Sequence, residues 1–431
     1  MDNKVSRSAS ILLCQLAAHG PSYRAELARK AKVSRTTTST LVKELLAAKL
    51  VQETLNQDVH NSSEDLLPKA NRTQSSENEK LKTKLRVTTN SGVIGSIVCL
   101  HGTVGTALAR IDGSIISKRV FSAGAAFGPQ LLLEQGSKML YEQLEENNLE
   151  LSKLIAIHLA VDTQCDEKTG EVLGGEASAN WMGINPKQWV SNKFHVPVQI
   201  QNTARLQAFA EYLMGNGRGH NNVLYINVSY GVALGQVVDG QIMSGSHGGS
   251  GELGHLIYNW NGPRCSCGNN GCLQQYISIP ALLKNAEAIA AGSEQPESFS
   301  ELLALAHKNP EINELLSEAG RITGRALVNV AHLLDPDQII LGGEVASVGR
   351  VFTDPVTEEL HSHTLPLIKS NLEVTSQDVA QNFEVLAISG IESMRRKAEF
   401  YPTVLKHLRL DESPVTLAAV STLSQKAQNP H

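Results

Sequence analysis

Three of the chain's six cysteines, Cys265, Cys267 and Cys272, fall within eight residues of one another, and His255 stands ten positions before the first. Three thiolates and one imidazole are the donor set of a closed, tetrahedral, structural zinc site. Gly268 and Gly271 permit the tight turns that bring the sulfurs onto one ion. A structural zinc can contribute on the order of 10 kcal/mol in small domains, so one ion could pin this loop. Six cysteines in 431 residues are too few for a disulfide framework, which also favours a metal and a cytoplasmic location.

The N-terminal fifty residues have a different texture. Ile11, Leu12, Leu13 and Leu16 repeat at helical spacing within residues 8–18, and His19-Gly20-Pro21 stops that helix. Ser22 is placed to cap a second helix over residues 23–31. Ser34 is placed to cap a third, in which Thr38, Leu41, Leu45 and Leu46 form the apolar stripe. Arg35, Thr36, Thr37, Ser39, Thr40 and Lys43 remain on the open face of that third helix. Short hydroxyl side chains let a helix approach base edges, while Arg35 and Lys43 can reach guanine or phosphate oxygens. Two short helices joined by a tight turn are what a DNA major groove admits, and Leu50-Val51 begins an extended segment suited to a wing.

Charge supports the same partner. Residues 1–50 hold nine lysines and arginines against three acidic residues, a net +6, which leaves −11 for the remainder of a chain whose formal total is −5. A basic head on an acidic body points to a polyanion at one end only. No apolar run approaches a membrane span, and the N-terminus lacks the order of a signal peptide, so the expectation is a cytoplasmic protein with no membrane partner.

A length of 431 residues calls for more than one domain. The expected division is a DNA-binding domain at 1–55, a wing and linker at 56–84, an α/β lobe at 85–202, a second α/β lobe carrying the cysteine loop at 203–410, and a polar tail at 411–431. The stretches 61–65 and 74–80 are the most polar of the linker. Strand patterns over 93–100, 106–111, 115–122 and 154–160 are followed by a second set at 198–201, 223–228, 232–238 and 338–341. Asp112-Gly113 and Asp239-Gly240 are hairpin turns in matching places of the two sets. The duplication predicts two similar α/β lobes with a ligand cleft between them.

The stretch G-E-L-G-H at 251–255, followed by C-S-C-G-N-N-G-C-L at 265–273, resembles the signature of the ROK family of repressors, open reading frames and sugar kinases. The resemblance covers essentially the whole chain. It implies an actin-like (ribonuclease H-like), two-lobed α/β sugar-kinase fold behind an N-terminal winged helix-turn-helix. It also implies zinc on His255, Cys265, Cys267 and Cys272, and effector contacts from Asn180, Asn202, Glu252 and His255. Family regulators respond to sugars such as xylose, N-acetylglucosamine or glucose, and the implied assembly is a homodimer or homotetramer on a double-stranded DNA operator.

The sequence departs from the kinase pattern where phosphoryl transfer needs it. The first phosphate loop, D-x-G-G-T in the kinases, aligns with Val98, Leu100, His101 and Gly102, so the carboxylate and first glycine are gone. The second loop, residues 228–235, carries bulky Tyr230. Q-N-T-A at 201–204 resembles the family's E-N-D-A, and Thr203 stands where the kinases hold their base. Losing a general base typically costs about 10² to 10⁴ in rate, so no catalytic residue is expected. Gln274 replaces a family Glu beside the pocket, a neutralised arrangement open to a sugar, a sugar phosphate or a protein partner instead.

Overall fold

The computed structural model describes residues 5–55, 83–124, 128–173, 179–289, 295–377, 379–410 and 412–426. Three helices come first: α1 (Arg7–His19), α2 (Arg24–Ala31) and α3 (Arg35–Ala47). Ser6 and Ser34 cap α1 and α3, their hydroxyl oxygens accepting from the amides of Ala9 and Thr37. Ser22 does not cap α2. It pairs with Leu85 as a β-bridge, and Tyr23 takes the cap position, its amide donating to Glu26 Oε2 at 3.0 Å.

The strands β1 (Val51–Leu55) and β2 (Thr83–Val87) then pair antiparallel, Val51 opposite Val87. Leu85 and Val87 are fully buried in the core of α1 to α3. Residues 83–87 therefore complete the N-terminal unit, where sequence had divided them between linker and first lobe. The polar stretches 61–65 and 74–80 lie outside the described residues.

The body repeats one plan twice. Its first unit contains β3 (Val93–Leu100), β4 (Thr103–Arg110), β5 (Ile115–Ser122), α4 (Pro129–Glu146), β6 (Leu154–Val161), α5 (Pro186–Phe194) and β7 (Val198–Asn202). Their sheet runs β5-β4-β3-β6-β7, antiparallel among the first three and parallel from β3 to β7. All residues of β3 and β6 are buried, which is why both read as mainly apolar runs, broken only by Ser96 and His158.

The second unit contains α6 (Thr203–Met214), β8 (Asn222–Val228), β9 (Val232–Val238), β10 (Gln241–Ile242), α7 (Gln274–Ile277), α8 (Ile279–Ile289) and α9 (Phe299–Ala306). It continues through α10 (Pro310–Leu334), β11 (Gln338–Gly342), α11 (Gly343–Ala346), α12 (Arg350–His363), α13 (Pro366–Lys369) and β12 (Glu373–Ser376). Its sheet, β10-β9-β8-β11-β12, has the same mixture of antiparallel and parallel pairs in the same order.

Two of the expected boundaries need correction. The helices α14 (Phe383–Arg395) and α15 (Phe400–His407), expected in the second lobe, return to pack on the first sheet. Residues 411–431, expected as a polar tail, include α16 (Pro414–Lys426), whose Val420 and Leu423 are buried in the same core as α1. The tail reads as polar because few apolar residues suffice to dock one face of a short helix. Among the described residues no helix is long and apolar enough to cross a membrane.

Candidate functional site

A cleft of about 800 Å³ opens between the two units. Asn180, Asn202, Glu252 and His255, widely spaced in sequence, all line it, as do Thr203 and Gln274. The C-terminal ends of β6 and β7 supply one wall, and the turns around β8 and β9 supply the other. Asn202 also caps α6: its Oδ1 accepts from the Ala204 amide at 2.9 Å while Nδ2 donates to the Thr163 carbonyl at 3.3 Å. Thr203 is 4% exposed at the start of the same helix.

The G-E-L-G-H turn is held tightly against β9. A Cβ on Gly251 would lie 1.9 Å from the Leu234 carbonyl oxygen, and one on Gly254 would lie 2.4 Å from that of Val232. Gly251 moreover has φ +92°, a conformation that other residues rarely adopt. These two glycines bring Glu252 to the cleft and aim His255 at the cysteines.

His255, Cys265, Cys267 and Cys272 place their ligand atoms within 4.8 Å of one another. Cys265 Sγ is 3.7 Å from His255 Nδ1, and Cys267 Sγ is 3.6 Å from Cys272 Sγ. A tetrahedron with bonds of about 2.0 to 2.3 Å has edges of this length, so the donor set and its spacing fit one zinc ion. Gln274 Nε2 donates to Cys265 Sγ at 3.3 Å, which ties a cleft residue to the cluster. Burial opposes ionisation of Cys265, but the Cys267 amide and the neighbouring thiols and imidazole outweigh it and bring the thiol down to about 6.

The structure adds Asp162, which sequence reading passed over, and side-chain contacts of His101 and Tyr230. Asp162, at the end of β6, lines the cleft and accepts from Trp181 Nε1 at 3.1 Å. The turn after β3 puts His101 Nδ1 3.7 Å from Glu344 Oε1 on α11, and the His101 ring meets the Tyr230 ring edge to face at 5.6 Å. The turn after β3, the turn between β8 and β9 and the start of α11 thus meet through side chains. Burial disfavours the His101 imidazolium, yet the Glu344 and Asp162 carboxylates beside it prevail and raise its pKa above the ordinary histidine value. No short-range pattern in the sequence links positions 101, 230 and 344.

On the N-terminal unit, Arg35, Thr36, Thr37, Thr40 and Lys43 are exposed along one side of α3, with Ser39 half-buried between them. Thr38, Leu41, Val42 and Leu45 face inward. The Thr37 hydroxyl is shared with Ser34 at 2.7 Å, and Thr40 donates to the Thr36 carbonyl at 3.3 Å.

Residues 115–385, well over half of the chain, match the ROK family. The chain belongs to the ROK family. Among curated ROK relatives, the xylose repressor of Bacillus spizizenii is 32% identical over 216 residues, 50% of this chain and 55% of the relative. This chain therefore spans about half the length of the first curated relatives it matches. The glucokinase of Thermotoga maritima is 22% identical over 306 residues, 67% of this chain and 93% of the relative. A ROK family transcriptional regulator, described as a homologue of the E. coli MLC protein, superposes with a TM-score of 0.67 at 20% identity, covering 93% of this chain and 98% of that one. A ROK glucokinase from Streptomyces griseus, solved with glucose and AMPPNP, gives 0.56 at 21% identity over 69% of this chain and 98% of that one. These superpositions establish the actin-like sugar-kinase fold of the body.

Proposed function

We propose that the protein is a DNA-binding transcriptional repressor of carbohydrate genes, with a ROK body that senses a ligand and has no kinase activity. The observation that carries this reading is the basic unit of α1 to α3 and β1-β2, read as a winged helix-turn-helix, ahead of a body with Thr203 at the base position. Arg35, Thr36, Thr37, Ser39, Thr40 and Lys43 are the proposed DNA contacts, with Arg and Lys anchoring phosphates and the short hydroxyls admitting the helix to the groove. The similarity to xylose repressors supports it.

His255, Cys265, Cys267 and Cys272 would hold a structural zinc that fixes the loop behind the cleft. Asn180, Asn202, Glu252 and His255 would meet the hydroxyls of a sugar, since each buried hydroxyl needs a donor or acceptor. Neither lysine nor arginine is among the lining residues, whereas Asp162 and Glu252 are. An uncharged sugar therefore suits the cleft better than a sugar phosphate, whose charge would face carboxylates. Assembly as a homodimer or homotetramer in the cytoplasm completes the reading, with two heads on adjacent half-sites.

The test is fluorescence-anisotropy titration of the purified chain against promoter fragments of neighbouring carbohydrate genes at several salt concentrations. Saturable, fragment-selective binding that weakens with salt is expected. Equal affinity for every fragment, or none in low salt, would overturn the reading. A coupled ATPase assay across a panel of hexoses and pentoses separates it from a sugar kinase, which would turn over.

A further inference from the structure

The N-terminal unit and the body share one apolar core. Leu12, Leu13 and Leu16 of α1 lie in the same cluster as Val385 and Met394 of α14, and Val404 of α15. At this junction sits Arg395, the last residue of α14, with its side chain only 10% exposed. Its Nη2 donates to the Ala17 carbonyl of α1 at 2.8 Å and its Nε to the Ile111 carbonyl, just past β4, at 3.1 Å. Nη1 pairs with Glu392. A buried guanidinium needs each of these partners, and its fixed fork admits few relative positions of the elements that supply them.

The turn beneath Arg395 is shaped to receive it. Gly113 has φ +83°, and a Cβ there would lie 2.5 Å from Arg395 Nη1. Beside it, Asp112 stands 4.0 Å from Arg86 of β2, so the same turn touches the head at a second point.

Toward the cleft, α14 packs on α6, and hydrogen bonds join α6 to the segment before α14. Glu211 of α6, fully buried, accepts from the amides of Val379 and Ala380 at 2.8 and 2.9 Å, on the segment that leads into α14. Gln207 donates to the Ala380 carbonyl at 3.1 Å. α6 itself is capped by Asn202, which lines the cleft. A continuous series of packed and hydrogen-bonded elements therefore runs from Asn202 to Ala17.

We propose that Arg395 is the positioning residue that seats the head on the body and relays changes at the cleft, through α6 and α14, to α1. The relay half rests on the reading that the head binds DNA and the cleft binds a sugar; the seating half does not. Arg395 lies beyond the residues 115–385 that match the family.

The experiment uses the full chain, wild type and the variants Arg395→Met, Arg395→Lys and Gly113→Ala, followed by hydrogen exchange. Arg395→Met is expected to speed exchange in residues 9–18 by at least about tenfold while leaving residues 223–238 unchanged. Arg395→Lys should recover part of the protection, because an ammonium can reach one acceptor but not the whole set. Gly113→Ala should reproduce the effect, and the double variant should exceed neither single one, as expected for two residues acting through one joint. Unchanged exchange in residues 9–18, an equal rise in both segments, or additive single effects would each overturn the seating role.

For the relay, D-xylose and D-glucose are the probes. A sugar that shifts the DNA affinity of the wild type should bind Arg395→Met with unchanged Kd and no longer shift its DNA affinity. A merely stabilising arginine would alter DNA affinity equally with and without sugar, and that result would overturn the relay. If the wild type bound no DNA, the reading of the head and with it the relay would fall, while exchange would still decide the seating.

Discussion

His101 and Glu344 meet across the cleft at 3.7 Å, joining the turn after β3 to the first residues after β11. Because burial is outweighed by the adjacent carboxylates, the folded-state pKa of His101 is raised above its unfolded value. The contact is therefore fully present below the ordinary histidine pKa and is lost as pH rises through the raised one. Titration of the His101 ring by NMR should show that raised midpoint. Glu344→Gln should lower it, and an unchanged midpoint in that variant would refute the pairing.

Metal removal gives a second prediction. The purified chain should carry about one zinc by mass spectrometry, and Cys272→Ser should lower that content several-fold. Exhaustive chelation should lower Tm and raise exchange in residues 255–273 ahead of the two sheets. Retention of full zinc by Cys272→Ser would place the ion elsewhere.

The head offers a third. Ser34 caps α3 by accepting from the Thr37 amide at 3.0 Å, and Ser34→Ala should cost about 1 kcal/mol of stability. Lys43→Ala should leave stability nearly unchanged but weaken DNA binding on all fragments alike, reducing the salt slope by about 1. A change confined to one fragment would mark Lys43 as a base contact instead.

Phosphoryl transfer should not return by a single substitution. On the proposed reading, Thr203→Asp would restore only a base, worth about 10² to 10⁴ in rate, while the segments of His101 and Tyr230 would still lack the phosphate loops of a kinase. ATP consumption by this variant should remain at background in the coupled assay; rapid turnover would show that the cleft still seats nucleotide.

His158 carries the fifth prediction. It is wholly buried on β6, 3.3 Å from Gln201 Oε1, and burial, with a smaller contribution from Lys397, pushes its pKa down to about 4. The unfolded chain binds the extra proton between about pH 6.5 and 4, so the neutral ring's stabilisation is complete above that window and lost as pH falls through it. His158→Gln should flatten the stability profile there, as read by denaturant unfolding. Gly390→Ala should destabilise at every pH, because its Cβ would lie 2.3 Å from His158 Nδ1.

Much of the architecture was legible because central strands such as β3 and β6 are covered on both faces and are therefore mainly apolar. The paired Asp-Gly turns exposed the repeat: Asp112-Gly113 and Asp239-Gly240 do connect β4 to β5 and β9 to β10. The cleft residues were legible through motifs, and the structure brings Asn180, Asn202, Glu252 and His255 to one cavity. What sequence could not show was tertiary. β2 pairs with β1 across residues 56–82, α14 crosses back to the first sheet, and two of the partners of Arg395, Ala17 and Ile111, come from distant segments, Glu392 being on the same helix. Such distant contacts leave no periodic trace, since a single buried arginine in an apolar helix looks like any surface arginine at a helix end.

The packing of α16 on α1 has a consequence for biosynthesis. Almost the entire chain separates Leu12 from Val420, yet both lie in one core. The first helices leave the ribosome long before the segment that covers them, and the residues up to Val420 must be translated before that face is sealed. The newborn head would meanwhile present an uncovered apolar surface of the kind that chaperones bind. The order of synthesis thus withholds finished packing from any chain that stops short of α16.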